Sequence, residues 1–303
     1  MIFSTRIRGG ALAKDGQIQN LASGGCWPLD STDGMHKMPP AVPALQPCDS
    51  AQAGPIRHFP LSRVVQQVVG VALADAGLTK EGVAGADTGF VSGSIYGTAE
   101  YLDSLRANYE ERGPRGIRPT DFSIATQGYP MAALSMAYMG TGPVAAFVNG
   151  VTAGFEAISF AHHVIMQGLC KRMVVVGLDG FGDVTRRHYK ALTGESASDC
   201  IVALVMDMGP LSGAVGEVVD LETGFSPDGE LPQTLSVPQA LQSGNSHTVR
   251  QHPGAGGLCE AFGFLANPYT VDPHPVALID PLGAYAVLRL QSLRKVRKME
   301  AVA

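Results

Sequence analysis

The chain has 303 residues, with 22 Lys+Arg against 27 Asp+Glu and a formal charge of −5. That balance excludes a generic nucleic-acid binder, because counterion-driven binding needs a basic footprint. At 45% hydrophobic and 16% charged, the chain can fill a large core, and its length allows one large α/β domain or two small ones.

Thirty-seven glycines and 20 prolines against 7% aromatics suggest many tight strand-to-helix turns. The five cysteines (Cys26, Cys48, Cys170, Cys200 and Cys259) are scattered and include no Cys-x-x-Cys pair, which fits a reducing cytoplasm better than a disulfide framework. Arg6, Arg8 and Lys14 have no apolar run behind them, so no signal peptide is expected.

Residues 1–55 are rich in turn formers and read as short strands and surface loops. From Leu61 onward, Val64, Val65, Val68, Val69, Ala72, Leu73 and Ala76 recur at helical spacing, and Gly77 supplies a stop. Thr88–Ser92 reads as a short buried strand, Ala99–Arg112 as an amphipathic helix ending at Gly113-Pro114, and Pro119–Phe122 as a loop. Phe122–Phe155 carries no charge and has the length of a membrane span. Gly140-Thr141-Gly142-Pro143 cuts it, and Gln127, Ser135, Asn149 and Thr152 interrupt the apolar runs. A buried helix followed by a buried strand is the better reading, with no membrane contact.

Val144–Val148 is expected as a strand, Gly150 as a turn, and Thr152–Gln167 as a helix with Ala157, Ile158, Ala161, Val164 and Ile165 on one stripe. Gly168 closes that helix, Lys171 and Arg172 lie where positive charge suits its C-terminus, and Met173–Val176 returns as a second buried strand. Strand, helix and strand at this length form a right-handed parallel crossover. Cys200–Asp207 and Gly213–Leu221 follow as strands, Leu258–Leu265 as a helix, and Val276–Asp280 and Ala284–Leu290 as the last strands. The basic run at residues 293–300 reads as a solvated end or as a contact for an acidic partner.

Several of these residues carry a family resemblance. Gly113-Pro114 and Pro119 stand before a helix, and Thr141-Gly142-Pro143 before a strand. Gly154, Ala157, Ile158, Gly168 and Gly177 follow that strand, and Ser92-Gly93-Ser94-Ile95-Tyr96-Gly97 lies upstream. Together they resemble the N-terminal half of the β-ketoacyl synthases. Gly194–Asp207 and Gly254-Ala255-Gly256-Gly257-Leu258-Cys259-Glu260 extend the resemblance, which runs from about Arg57 onward. It implies an α/β protein with a thiolase-like layered α/β/α/β/α fold and a shortened C-terminal half. Residues 1–303 would form one domain, with 1–207 as its N-terminal half and 208–303 as the reduced C-terminal half.

The chemical positions depart from the family pattern. A condensing enzyme needs a thiol at the turn between strand and helix, and that position is Val151. The family's second histidine falls on Gln251, with His252 one residue away, and the lysine before it falls on Ser246. The closing glycine-rich segment survives only as Leu282-Gly283-Ala284. This pattern is similar to the chain-length factors, inactive ketosynthase homologues of type II polyketide assembly, and most of all to those of highly reducing systems that make polyenes, including aryl polyenes. The resemblance implies no catalytic residue, no cofactor and no metal. It implies a heterodimer with an active ketosynthase and transient contact with an acyl carrier protein. It also implies that Val144, Ala145, Ala146, Phe147 and Val148 form the strand that pairs across the pseudo-two-fold axis.

Counting back from Val151, Tyr96 falls where the family gates its acyl tunnel, with Ala99, Glu100 and Asp103 on the same side if a helix has begun there. Tyr96 also fits an ordinary core or interface aromatic. A relocated nucleophile at Cys259, Cys200 or Thr152 would instead give an acyltransferase or thioesterase. His162 and His163 have no third ligand at helical spacing and read as surface or interface residues. Gly177-x-x-Gly180-x-Gly182 lacks the order and the following helix cap of a dinucleotide site. Arg112, Arg115, Arg118, Arg186 and Arg187 are available to an acidic carrier protein or are plain surface arginines.

Overall fold

The computed structural model describes residues 5–14, 17–21, 26–28, 60–85, 87–180, 183–210, 212–228, 254–266, 274–279 and 284–293. Ten strands form one mixed sheet: β1 (Thr5–Lys14), β2 (Gln17–Asn20), β3 (Cys26–Pro28), β4 (Thr88–Gly93), β5 (Val144–Phe147), β6 (Arg172–Asp179), β7 (Cys200–Asp207), β8 (Gly216–Phe225), β9 (His274–Ile279) and β10 (Ala284–Ser292). The main path runs β5-β4-β6-β7-β1-β8-β10-β9, with β2 and β3 attached beside β1. The described helices are α1 (Pro60–Asp75), α2 (Lys80–Val83), α3 (Ala99–Arg112), α4 (Pro119–Ile124), α5 (Tyr129–Tyr138), α6 (Ala153–Met166), α7 (Asp183–Thr193) and α8 (Gly256–Ala266).

Strands β5, β4 and β6 are parallel, so α6 is the crossover expected between β5 and β6. Strands β4, β6 and β7 are buried on both faces, which accounts for their nearly continuous apolar runs. One face lies under α1 and α5, whose Val68, Val69, Ala72, Met131 and Leu134 meet Phe90, Val174, Val176 and Val205. The other lies under α6 and α8, where Phe155, Ile158, Leu258 and Phe262 meet Val91, Val175 and Leu204. That second pair of helices also packs against β9 and β10, making it a helical layer between two portions of the sheet. This is the layered thiolase-like α/β arrangement that the sequence resemblance implies.

The opening segment departs from the sequence reading. Beside the short strands β2 and β3, it supplies a ten-residue strand, β1, in the interior of the sheet, where short strands and surface loops were expected. Arg6–Lys14 pairs with β7, Thr5–Ile7 also pairs with β8, and a register shift between Ile7 and Gly9 bends the strand between the two. Gly9 and Gly10 disguised the strand in the sequence, yet contact requires at least one of them. A Cβ on Gly9 would lie 2.5 Å from the Ala76 amide nitrogen, where the end of α1 crosses, and the Gly10 N–H donates to the Asp75 carboxylate at 3.0 Å.

Three helices were not legible: the single-turn α2, α4 and α7. Pro119–Phe122 begins α4 rather than a loop, because proline at the first turn is already set for a helix. A helix, α7, follows the Gly177–Gly182 run, which the sequence reading did not assign. Its buried residues are Thr185 and Tyr189, too thin a stripe to stand out among its charges. The uncharged stretch breaks where expected: α5 ends on Met139 in the left-handed region (φ 55), and β5 starts at Val144. Among the described residues no helix is long and apolar enough to cross a membrane.

The end of β4 presses on the start of α6. A Cβ on Gly93 would sit 2.3 Å from the Ala153 carbonyl oxygen and 2.6 Å from the Gly154 nitrogen, both backbone atoms. Gly93→Ala is therefore expected to destabilise the fold by about 1–3 kcal/mol. Chemical denaturation would show this as a lowered midpoint, and an unchanged midpoint would mean that this contact is not as tight as described.

Candidate functional site

Four chain segments converge where β4 and β6 end. Gly93 abuts Ala153 at the start of α6, and Gly154 faces the Gly254 carbonyl and Leu258 of α8. Gly177 of β6 meets Ala255 and Leu258, and a Cβ on Gly254 would stand 2.3 Å from the Ile95 nitrogen. Only residues without side chains bring these backbones so close.

At the centre lies Asp179, the last residue of β6, which is 1% exposed. Its Oδ2 accepts the Gly254 and Ala255 N–H groups, each at 2.8 Å, and its Oδ1 accepts the Ile95 N–H at 3.4 Å. The carboxylate thus satisfies amide donors just ahead of α8, where a helix N-terminus favours negative charge. Burial pushes its pKa up to about 6. The three backbone donors oppose that shift, and the neighbouring Asp199 adds to it. Sequence reasoning passed over Asp179, although a single acid ending an apolar strand inside a glycine-rich run was the available signal.

Val151 lies in a one-turn 3-10 segment, Gly150–Thr152, between β5 and α6, as the sequence spacing required. It is half-buried and packs against the apolar layer of α6 and α8. Gly150 makes the turn with φ 74. The next residue, Thr152, is 1% exposed, and its Oγ1 stands 2.7 Å from Glu156 Oε1 and 3.2 Å from the Asn149 carbonyl. One hydroxyl proton serves one of these acceptors at a time. The Asn149 side-chain amide donates to the other Glu156 oxygen. The polar groups beside Val151 are thus engaged with one another.

The structure puts Tyr96 in a different neighbourhood. Its ring packs with Ile95, Tyr189 and Ala197, its hydroxyl is 3.0 Å from His188 Nδ1, and the two rings meet edge-on with centroids 5.7 Å apart. Partial burial raises its pKa. Just downstream, the Thr98 N–H donates to Gln127 Oε1 at 3.0 Å and the Thr98 hydroxyl donates to the Ala125 carbonyl at 2.5 Å, so the segment is held on both sides of the ring. Ala99 begins α3, and Asp103 pairs with Arg106 at 3.1 Å. The Glu100 side chain and residues Ser246, Gln251, His252, Leu282 and Gly283 lie outside what the structure describes.

The alternative nucleophiles are enclosed. Cys200 and Cys259 are buried with their sulfurs 3.0 Å apart in the apolar layer, Cys200 standing opposite Asp179 in the β6–β7 ladder. His162 Nδ1 is 2.9 Å from Thr5 Oγ1, and burial lowers its pKa. Among the described residues no three His, Cys, Asp or Glu side chains are grouped to hold a metal. Of the arginines, Arg118 pairs with Asp121 at 2.8 Å, Arg112 lies 3.5 Å from Glu111, and Arg186 reaches the Ala197 carbonyl and Asp199. Arg115 and Arg187 are exposed.

Among the described residues, β5 is one end of the sheet path. Pro143 O accepts from Phe90 N and Phe147 O from Ser94 N, so by the alternation of a parallel ladder residues 143, 145 and 147 face β4. Val144 and Ala146 then point their amide groups outward. Val148 follows the strand rather than ending it. Val144 is 41% exposed, and beside β5 an open groove of about 460 Å³ is lined by Phe147, Phe160 and Tyr285.

Residues 56–191 match the Beta-ketoacyl synthase, N-terminal domain. The fold is that of the β-ketoacyl synthases. The ishigamide ketosynthase/chain length factor superposes with a TM-score of 0.69 at 15% identity, covering 95% of this chain and 99% of that one. A β-ketoacyl synthase from Burkholderia phymatum STM815 gives 0.65 at 15% identity, over 97% and 100% of the two chains. The type II polyketide synthase ketosynthase solved with its acyl-carrier protein, AntDE:AntF, gives 0.65 at 12% identity, again over 97% and 100%. No curated protein matches the sequence. Within the β-ketoacyl synthase fold, Val151 occupies the turn that enters α6, and Asp179 ties that region to α8.

The raised pKa of Asp179 fixes a sign for stability. Above about pH 6 the carboxylate is charged in both folded and unfolded chains, and the cost of burying it is fully present. As the pH falls from about 6 towards the ordinary value of 3.8, the folded state takes up a proton first, and the chain gains stability relative to a variant that cannot titrate there. The stability of the wild type minus that of Asp179→Asn should therefore rise through this window, by up to about 3 kcal/mol. Denaturation of both proteins at a series of pH values measures it, and a flat difference would contradict a raised pKa.

Proposed function

We propose that the chain is a chain-length factor, a non-catalytic partner that pairs with an active ketosynthase and shapes the acyl tunnel during type II polyketide elongation, in a system of the aryl polyene kind. The observation that carries this reading is the aliphatic Val151 at the turn into α6, in a fold shared with ketosynthases. A valine offers neither a nucleophile nor an ionisable group, so condensation at this turn needs a thiol from another subunit. The outward-facing amides of Val144 and Ala146 support a partner that adds its own strand at this edge. A carrier protein belongs to the same proposal, with exposed Arg115 and Arg187 as cationic contacts and the AntDE:AntF neighbour as the analogy.

Tyr96 is the residue proposed to limit product length, with its hydroxyl 3.0 Å from His188 Nδ1 and with Ala99 and Asp103 proposed to continue the same wall. Forcing further methylenes against a packed ring costs about 1–3 kcal/mol, enough to stop elongation at a set length.

Co-expression with the cognate ketosynthase tests both parts. The two chains should co-purify, and product should require both. Ala146→Pro removes an outward N–H without touching the β4 ladder, so it should leave the isolated chain folded and abolish co-purification. A pair that survives this change would mean that the partner binds elsewhere. Tyr96→Ala should shift the products of the reconstituted pair to longer chains by at least one elongation step, and an unchanged length distribution would remove Tyr96 from the tunnel wall.

A further inference from the structure

The chain-length reading assigns no task to Asp179, yet this carboxylate is the most enclosed acid in the region and bonds to two separate segments. On one side it holds Ile95, whose N–H immediately precedes Tyr96. On the other it holds Gly254 and Ala255, which lead into α8. The two segments also touch directly: a Cβ on Gly254 would lie 2.3 Å from the Ile95 nitrogen and 2.7 Å from the Ser94 carbonyl carbon. Downstream of the ring, the backbone is fixed independently through Thr98, Gln127 and Ala125. Upstream, the Ser94 N–H donates to the Phe147 carbonyl at 3.0 Å, and Asp179 is the side chain that ties the segment to the approach of α8.

We infer that Asp179 is a positioning residue that sets where the Tyr96 ring stands relative to α8, and thereby the product length at which the tunnel closes. This rests on the chain-length reading and on Tyr96 as its gate. The charge matters because three amide hydrogens converge on two oxygens. An asparagine keeps the shape but offers one acceptor oxygen and turns a donor towards an N–H, leaving at least one buried amide without an acceptor. A glutamate keeps the acceptors but carries them one methylene further from β6.

The test uses the reconstituted pair with its ketosynthase. Asp179→Asn should shift the length distribution in the same direction as Tyr96→Ala, and the double variant should go no further than the larger single change. Asp179→Glu should restore part of the wild-type distribution, which a purely structural loss would not show. If Tyr96→Ala lengthens the product and a folded Asp179→Asn does not, the inference falls and the gate reading stands. If Tyr96→Ala changes nothing, the gate reading itself falls. Amide hydrogen exchange on the wild-type chain covers the case in which Asp179→Asn does not fold. The Ile95, Gly254 and Ala255 amides should exchange at least about tenfold more slowly than exposed loop amides, and exchange at loop rates would overturn the inference without any variant.

Discussion

A buried carboxylate among close-packed backbones is the constraint on which the site depends. An ionised group removed from water is tolerated only when donors replace its hydration, and Asp179 finds them in the amides of Ile95, Gly254 and Ala255. These come from segments far apart in the chain, so satisfying one side chain brings the exit of β4 and the approach to α8 together. The glycines at 93, 154, 177 and 254 make the convergence possible, because side chains there would hold the backbones apart. What looks in sequence like generous use of glycine is the spatial condition for one polar interaction.

The apolar parts of this arrangement were legible, because burial on two faces leaves runs such as Met173–Val176 and Cys200–Asp207 that read as strands directly. Helix α1 was legible for a similar reason, since Val64, Val65, Val68, Val69 and Ala72 mark a stripe wide enough to see. Features whose stability comes from contacts across the fold were not. Strand β1 looks weak locally because Gly9 and Gly10 suit close approach rather than strand propensity. Helix α7 turns only a short part of its surface inward, and α4 opens with a proline that also suits a loop.

The site itself divides along the same line. Val151 could be placed from spacing, since the strand, turn and helix around it have strong local signals. Asp179 offered only a weak local signal, an acid at the end of an apolar strand, because its importance comes from Gly254 and Ala255, more than seventy residues away. Tyr96 lies between these cases: its position in the chain was readable, but its contacts with His188 and Tyr189 depend on a helix the sequence did not reveal. Sequence patterns report what a residue does for its own element, and a side chain that joins elements is visible only once they are assembled.

Strand β1 has a consequence for how the molecule comes to be made. Residues 5–14 sit between β7 at residues 200–207 and β8 at residues 216–225. Strand β1 must therefore wait until residues 200–225 have been made before either neighbour exists. Contacts of such long sequence separation form late, because loop closure over the whole intervening chain precedes any reward. During that interval β7 and β8 each carry an unfilled edge, which favours misassembly until residues 5–14 dock between them.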